Sequence, residues 1–199
     1  MKRSPVPPHN KIRAAGKFDP FNDRLSRDIR NTLSEAFVDA LSRMAPSAYR
    51  KEADIWRAKN PSEIYLDYIQ DRLRRYDQVF KQVKADRLDD PLLQGLVIWN
   101  QGLFFEFHDH LEGIWIQASG DERQALKGLI KAAGVYIHHE CGHQQAVESL
   151  SVKSCNLIRQ YSGSLTFITN LDVLAQKLKS PDPVAPRLEN PALHEDKQP

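Results

Sequence analysis

Residues 99–115 read WNQGLFFEFHDHLEGIW, and the fold turns on how this stretch is read. Between Glu106 and Glu112 lie five ionisable groups, Glu106, His108, Asp109, His110 and Glu112, set among Phe104, Phe105, Phe107, Leu111 and Ile114. At about 100° of rotation per residue, the apolar side chains cover most of a helix circumference. Such a helix belongs in the middle of a fold, because only a thin sector can face water. His108 and Glu112 stand at i and i+4 and share a face with Phe104 and Trp115. Glu106 and His110 form a second i,i+4 pair on the roughly opposite face, beside Leu103 and Ile114. Burying so many ionisable groups is costly unless each is paired, hydrogen-bonded or bound to a metal. Function is therefore sought on this helix.

The flanking sequence supplies the helix ends. Asp90-Pro91 is an N-cap followed by proline at the first helical position. Gly102 and Gly142 close two further helices with the positive φ that glycine tolerates, and Ser119-Gly120-Asp121 marks the break between them. The helix running to about Cys141 holds Gly128 and Ala132 one turn apart, which lets a neighbour approach closely; Gln144–Tyr161 follows as another helix. Upstream, Leu25, Ile29, Leu33, Phe37 and Leu41 recur at steps of four, and a short helix is expected over Ala48–Ala58. Asn60-Pro61-Ser62-Glu63 reads as N-cap, proline and capping-box glutamate for a helix to about Lys84 carrying Tyr65, Ile69, Leu73, Tyr76, Phe80 and Val83. Leu165–Thr169 reads as a short extended piece, and no longer segment alternates with period two. The chain is read as all-α, a helical bundle of antiparallel helical hairpins.

Proline marks the edges. Four prolines fall in the first twenty residues and five in the last nineteen, against Pro46, Pro61 and Pro91 over residues 21–180. Residues 1–20 and 181–199 are expected to be disordered tails around a single domain, 21–180, with its core motif over 90–161.

Composition limits the function classes. With 28 basic and 26 acidic residues the net charge is +2, which gives no support to a nucleic-acid partner. The apolar patch Leu92–Trp99 is far too short to span a membrane. Cys141 and Cys155 read as reduced thiols, too far apart on their helices to bridge, and a cytoplasmic location follows. No Ser-His-Asp arrangement, phosphate loop or dinucleotide fingerprint is present.

GLFFEFHDHLEGIW, with the downstream ALKGLIKAAGVYIHHECGHQQAV, resembles the two motifs of the domain of unknown function 309 family over about residues 96–150. The resemblance implies an α-helical fold with a carboxylate–histidine cluster, and that family's label is predicted metal-dependent hydrolase. Glu106, His108, Glu112, Trp115, Gly128, His138 and Gly142 match its pattern; Asp109 replaces a glutamate, and His110 replaces an apolar residue.

Two readings follow. In the first, His108 and Glu112 ligate a divalent ion such as Zn, Mn or Fe, because imidazole and carboxylate at i,i+4 converge on one point. His138 joins them through the family match alone, which requires its ring to come within about 3–5 Å of His108. Glu106 or Asp109 then acts as the catalytic base on a small substrate. Glu106, however, projects about 160° from His108 on a regular helix, so one ion cannot easily collect both. In the second reading the same groups form a buried, metal-free polar network in a helical-repeat protein that binds a protein or peptide partner. Trp99, Trp115 and the Phe104–Phe105 pair are core in both.

Overall fold

The structure, a computed structural model, describes residues 17–193. Among them are eight α-helices, one 3-10 turn over Ser162–Ser164 and no strand. The helices are α1 Arg24–Ser42, α2 Ser47–Ala58, α3 Glu63–Ala85, α4 Pro91–Asn100, α5 Phe104–Gln117, α6 Gly120–Cys141, α7 Gln144–Gln160 and α8 Leu171–Lys179.

Local chemistry accounts for most of the boundaries. Asp23 caps α1 by accepting from the Leu25 and Ser26 amides, and Asp90 caps α4 by accepting from the Leu92 amide ahead of Pro91. Gly102 (φ 67°) and Gly142 (φ 75°) take the left-handed conformation where the chain turns between helices. At Gly102 a β-carbon would also fall 2.9 Å from Arg75 Nη1, which donates to the carbonyls of Gln101 and Gly102. The capping box expected at Asn60–Glu63 does not form. Asn60 is itself left-handed (φ 48°) and bonds the Arg57 carbonyl, so it closes α2; Ser62 stands at the cap of α3 without a side-chain hydrogen bond.

The apolar steps of α1 reach the core as the spacing requires, with Ile29, Leu33, Phe37 and Leu41 buried. Phe37 stacks on Tyr76 of α3 at 4.1 Å, and Tyr49 of α2 meets both rings. α1 packs against α2, α3 and α5, while α6 lies between α5 and α7. The close approach read at Gly128 is present. A β-carbon there would come within 3.1–3.2 Å of Leu157 and Ile158, and Ser154 donates to the Gly128 carbonyl at 2.7 Å.

Two C-terminal features differ from the reading of the sequence. Leu165–Thr169 forms turns, Ile168 bonding back to Leu165, and it leads into α8, whose Leu174, Ala175 and Leu178 are buried against α7. Residues 181–193, assigned to a tail, lie along the body with Leu188 buried. The Trp99 indole donates to the Pro186 carbonyl at 2.8 Å, and the Asn100 amide both donates to and accepts from the Leu188 backbone. Proline removes a donor from a segment but leaves its carbonyl to accept, and buried side-chain donors of α4 find it. At the other end Phe18 stacks on Tyr68, ring centroids 3.6 Å apart. The remaining tail residues, 1–16 and 194–199, lie outside the described residues. Cys141 and Cys155 are free thiols, and no described helix is long and apolar enough to cross a membrane.

Candidate functional site

α5 carries two separate polar constellations, one on each side. On the inner side Glu106 is fully buried. Its Oε1 accepts from the Tyr76 hydroxyl at 2.7 Å and lies 3.6 Å from Arg72 Nε of α3. Glu106 therefore sits in a network built by α3, away from His108, as the rotation between them requires. His110, half-buried against α4, pairs its Nε2 with the Pro91 carbonyl at 2.8 Å, and desolvation holds its pKa below the usual histidine value.

On the outer side one ligand atom each from His108, Asp109 and Glu112 lie within 4.8 Å of one another. His108 Nδ1 stands 3.5 Å from Asp109 Oδ1, and its Nε2 3.8 Å from Glu112 Oε1. The Asp109 carboxylate is fixed from α1, where the Ser34 hydroxyl donates to Oδ2 at 2.6 Å. His108 Nδ1 is shielded from solvent and has no hydrogen-bond partner. Asp109, expected as a base, is thus placed beside the two residues expected as ligands. Glu112 is the wettest of the three, its side chain 50% exposed. The outer face is less buried than the apolar content of α5 implied, because residues 108 and 112 border a cavity rather than the core.

That cavity is a cleft of about 440 Å³. Phe105, His108, Glu112 and Trp115 form its α5 wall, facing Lys127, Ile130, Lys131, Ile137 and His138 of α6. Phe105, not Phe104, shares the cleft with His108 and Glu112; Phe104 turns instead into the core against Trp99 (5.1 Å) and Tyr136 (5.0 Å). Phe104 and Phe105 flank the His108 direction on either side, and α6 packs over the Phe104 margin. His138 lines the same cleft but is not one of the three converging donors. Its Nδ1 is 3.2 Å from His143 Nδ1, and its ring stacks on Phe21 at 4.8 Å. Burial, with His143 beside it, keeps His138 below the usual histidine pKa.

The rest of the cleft is cationic. Arg30 of α1 lies 3.8 Å above the Phe105 ring. Among the described residues its side chain hydrogen-bonds the Asn31 amide oxygen, and burial lowers its pKa. Lys131 is likewise lowered, by burial and by the neighbouring Lys127 and Lys153. Arg30, Lys127 and Lys131 form no ion pair among the described residues. Nothing in the sequence singles out these three cations, Phe21 or Ser34. Arg30 and Lys127 occur in runs that look like ordinary solvated helix faces, and only the crossing of α1 over α5 turns Arg30 inward.

No curated protein and no solved structure matched the chain. Residues 92–150, from the first turn of α4 into α7, match the model of a family described as Domain of unknown function (DUF309), and they include Glu106, His108, Asp109, Glu112 and His138 but not Arg30.

Proposed function

We propose that the cleft between α1, α5, α6 and α7 binds a divalent cation, Zn, Mn or Fe, on His108, Asp109 and Glu112 together with a small anionic substrate, as in a metal-dependent hydrolase. The observation that carries this reading is the convergence of the three donors within 4.8 Å, two of them, His108 and Glu112, on the wall of a cleft whose Arg30, Lys127 and Lys131 form no ion pair among the described residues. The donor set fits such an ion. Two carboxylates offset its charge, an imidazole suits its borderline softness, and the His108 ring nitrogen that stands 3.5 Å from Asp109 makes no hydrogen bond among the described residues. An ion there would supply Lewis acidity for hydrolysis.

The chain's own residues do the rest. Ser34 holds Asp109 in place, since a carboxylate whose second oxygen is already hydrogen-bonded keeps its first oxygen in a fixed direction. Arg30, Lys127 and Lys131 draw in and orient an anion, and Phe105 and Trp115 form an apolar floor that excludes water from one side. Glu106 takes no part in this proposal, being committed to Tyr76 and Arg72. The test is thermal melting of metal-stripped protein with added Mn2+ or Zn2+. Wild type should be stabilised by roughly 2–3 kcal/mol once the ion is in about hundredfold excess over its Kd. His108→Ala and Glu112→Ala should not respond. A wild type indifferent to both ions and to chelator overturns the reading in favour of a metal-free protein- or peptide-binding role.

A further inference from the structure

The main cleft has an acidic wall on α5 and a basic wall on α6, and two ring contacts fix how they line up. The Arg123 guanidinium of α6 lies 4.1 Å from the Trp115 ring of α5, and the Tyr136 ring of α6 lies 5.0 Å from that of Phe104. Residue numbers therefore fall along α5 as they rise along α6, and both helices climb by the same amount per residue. Stepping from the Trp115–Arg123 pair puts Lys127 level with Glu112, and one turn further puts Lys131 level with His108. All four side chains line the cleft, yet neither lysine forms an ion pair among the described residues.

The charges that act on Lys131 are those of Lys127 and, from α7, Lys153. Lys127 is exposed and Lys131 half-buried, so both ammonium groups are open to a ligand. Arg30 differs, because the Asp109 and Glu106 carboxylates of α5 act on it. The demand for an anion is thus greatest at the two lysines.

An anion between these walls faces ammonium groups on one side and the His108–Asp109–Glu112 donors, with their cation, on the other. A carboxylate directs both of its oxygens to one side of its carbon. A phosphoryl group spreads three terminal oxygens tetrahedrally, so that some reach the lysines while another turns to the cation. Its charge of about −1.5 to −2 at neutral pH also suits two lysines better than a single negative charge does. Lysine serves phosphate as a point charge, whereas the planar match to carboxylate belongs to arginine. The rest of the ligand has Phe105 and Trp115 to lie against, in a cleft whose volume of about 440 Å³ falls in the usual range for small-molecule sites.

We infer that the anion taken by this cleft is the phosphoryl group of a phosphomonoester, held by Lys127 and Lys131 of α6 with its organic part against Phe105 and Trp115. The α5 side of this assignment rests on the cation reading above; the lysine side does not.

The test is calorimetric titration of the full chain with phenyl phosphate at about pH 8, where the ester is a dianion, once with saturating Mn2+ and once with chelator. Phenyl sulfate and benzoate carry the same ring with a single negative charge, and each should bind at least about tenfold more weakly. Lys127→Gln and Lys131→Gln should each weaken phenyl phosphate by about tenfold, the loss of one charge-assisted hydrogen bond, and leave the melting temperature unchanged. Lys51→Gln, exposed on α2, alters the net charge equally and should bind like wild type. The assignment is overturned if benzoate or phenyl sulfate binds as tightly as phenyl phosphate, or if both cleft variants bind like wild type. A Mn2+ response with no phenyl phosphate binding sinks it and leaves the cation standing. Lysine-dependent binding in chelator, with no Mn2+ response, sinks the cation and keeps the phosphoryl site; the absence of both responses sinks both.

Discussion

Replacing Glu106 by leucine tests the buried network that α5 shares with α3. The substitution keeps roughly the side-chain volume and removes the carboxylate that faces Arg72, whose own side chain is 9% exposed. Breaking a buried pair by deleting one partner costs about 3–5 kcal/mol, because the other charge is left uncompensated. Two features place Glu106→Leu toward the lower end of that range. Glu140 lies close enough to act on the Arg72 charge, and the Arg72 guanidinium sits 4.7 Å from the Tyr68 ring. The Tyr76 hydroxyl also loses its acceptor, adding about 1 kcal/mol. A net loss of about 4 kcal/mol lowers the melting temperature by roughly 8–16 °C in a chain of this size. Arg72→Met should be comparably harmful, since it strands Glu106 instead. The double variant Glu106→Leu/Arg72→Met leaves neither charge behind and should melt above either single one, a coupling read directly from a double-mutant cycle. Urea melts of the four proteins provide the measurement. Additive losses, or a Glu106→Leu variant within about 1 kcal/mol of wild type, would refute the view that these two residues compensate each other.

Three further outcomes follow from the packing. Gly128→Ala places a methyl group 3.1–3.2 Å from Leu157 and the Ile158 backbone, so α6 and α7 must separate; a loss of about 1–3 kcal/mol is expected in denaturant melts, and an unchanged midpoint would show that the helices yield freely. Trp99→Phe removes the donor to Pro186 and should abolish amide-exchange protection around Leu188 before the global midpoint moves far; retained protection there would mean the segment is held by its apolar contacts alone. Asp23 accepts from the Ser26 hydroxyl and from the Tyr65 hydroxyl as well as capping α1, and these bonds, that to the Ser26 hydroxyl foremost, hold its carboxyl below the usual range. A carboxylate with a depressed folded-state pKa contributes stability above about pH 4 that is lost as pH falls through the folded value. Asp23→Ala should therefore cost about 1 kcal/mol at neutral pH and show a shallower acid decline than wild type; parallel declines would count against the assignment.

How much of this was readable beforehand depends on what each feature rests on. The i+4 steps of α1, the Asp90-Pro91 start of α4 and the glycine turns at 102 and 142 are local, and local rules place them within a residue or two. α8 and the docked residues 181–193 were missed for the opposite reason. A nine-residue helix with three buried side chains has little periodicity to display, and a proline-rich strand of backbone is recognised only by the donors of α4 that it meets across the fold. Asn60 misled because the same residue type caps a helix start and tolerates the left-handed turn at a helix end, and the choice is made by which carbonyl its amide reaches. At the site, the separation of Glu106 from His108 follows from helix rotation alone, whereas the cationic lining of the cleft needed the crossing of α1 over α5.

On the proposed reading the two faces of α5 separate stability from binding. Glu106 is enclosed, hydrogen-bonded and opposite a buried arginine, so the fold depends on it. Glu112 is half-exposed, and its contact with His108, at 3.8 Å, is looser than a hydrogen bond. An exposed pair of that kind contributes at most about 1 kcal/mol. The fold therefore has little use for Glu112, although the side chain borders the cleft and stands with a second carboxylate and a histidine whose buried ring nitrogen makes no hydrogen bond. Two carboxylates brought together repel each other, and a cation bound between them would relieve that cost. Loss of Glu112 should accordingly register in cation binding and scarcely in melting of the metal-free protein, the reverse of the loss of Glu106 less than two turns away on the same helix.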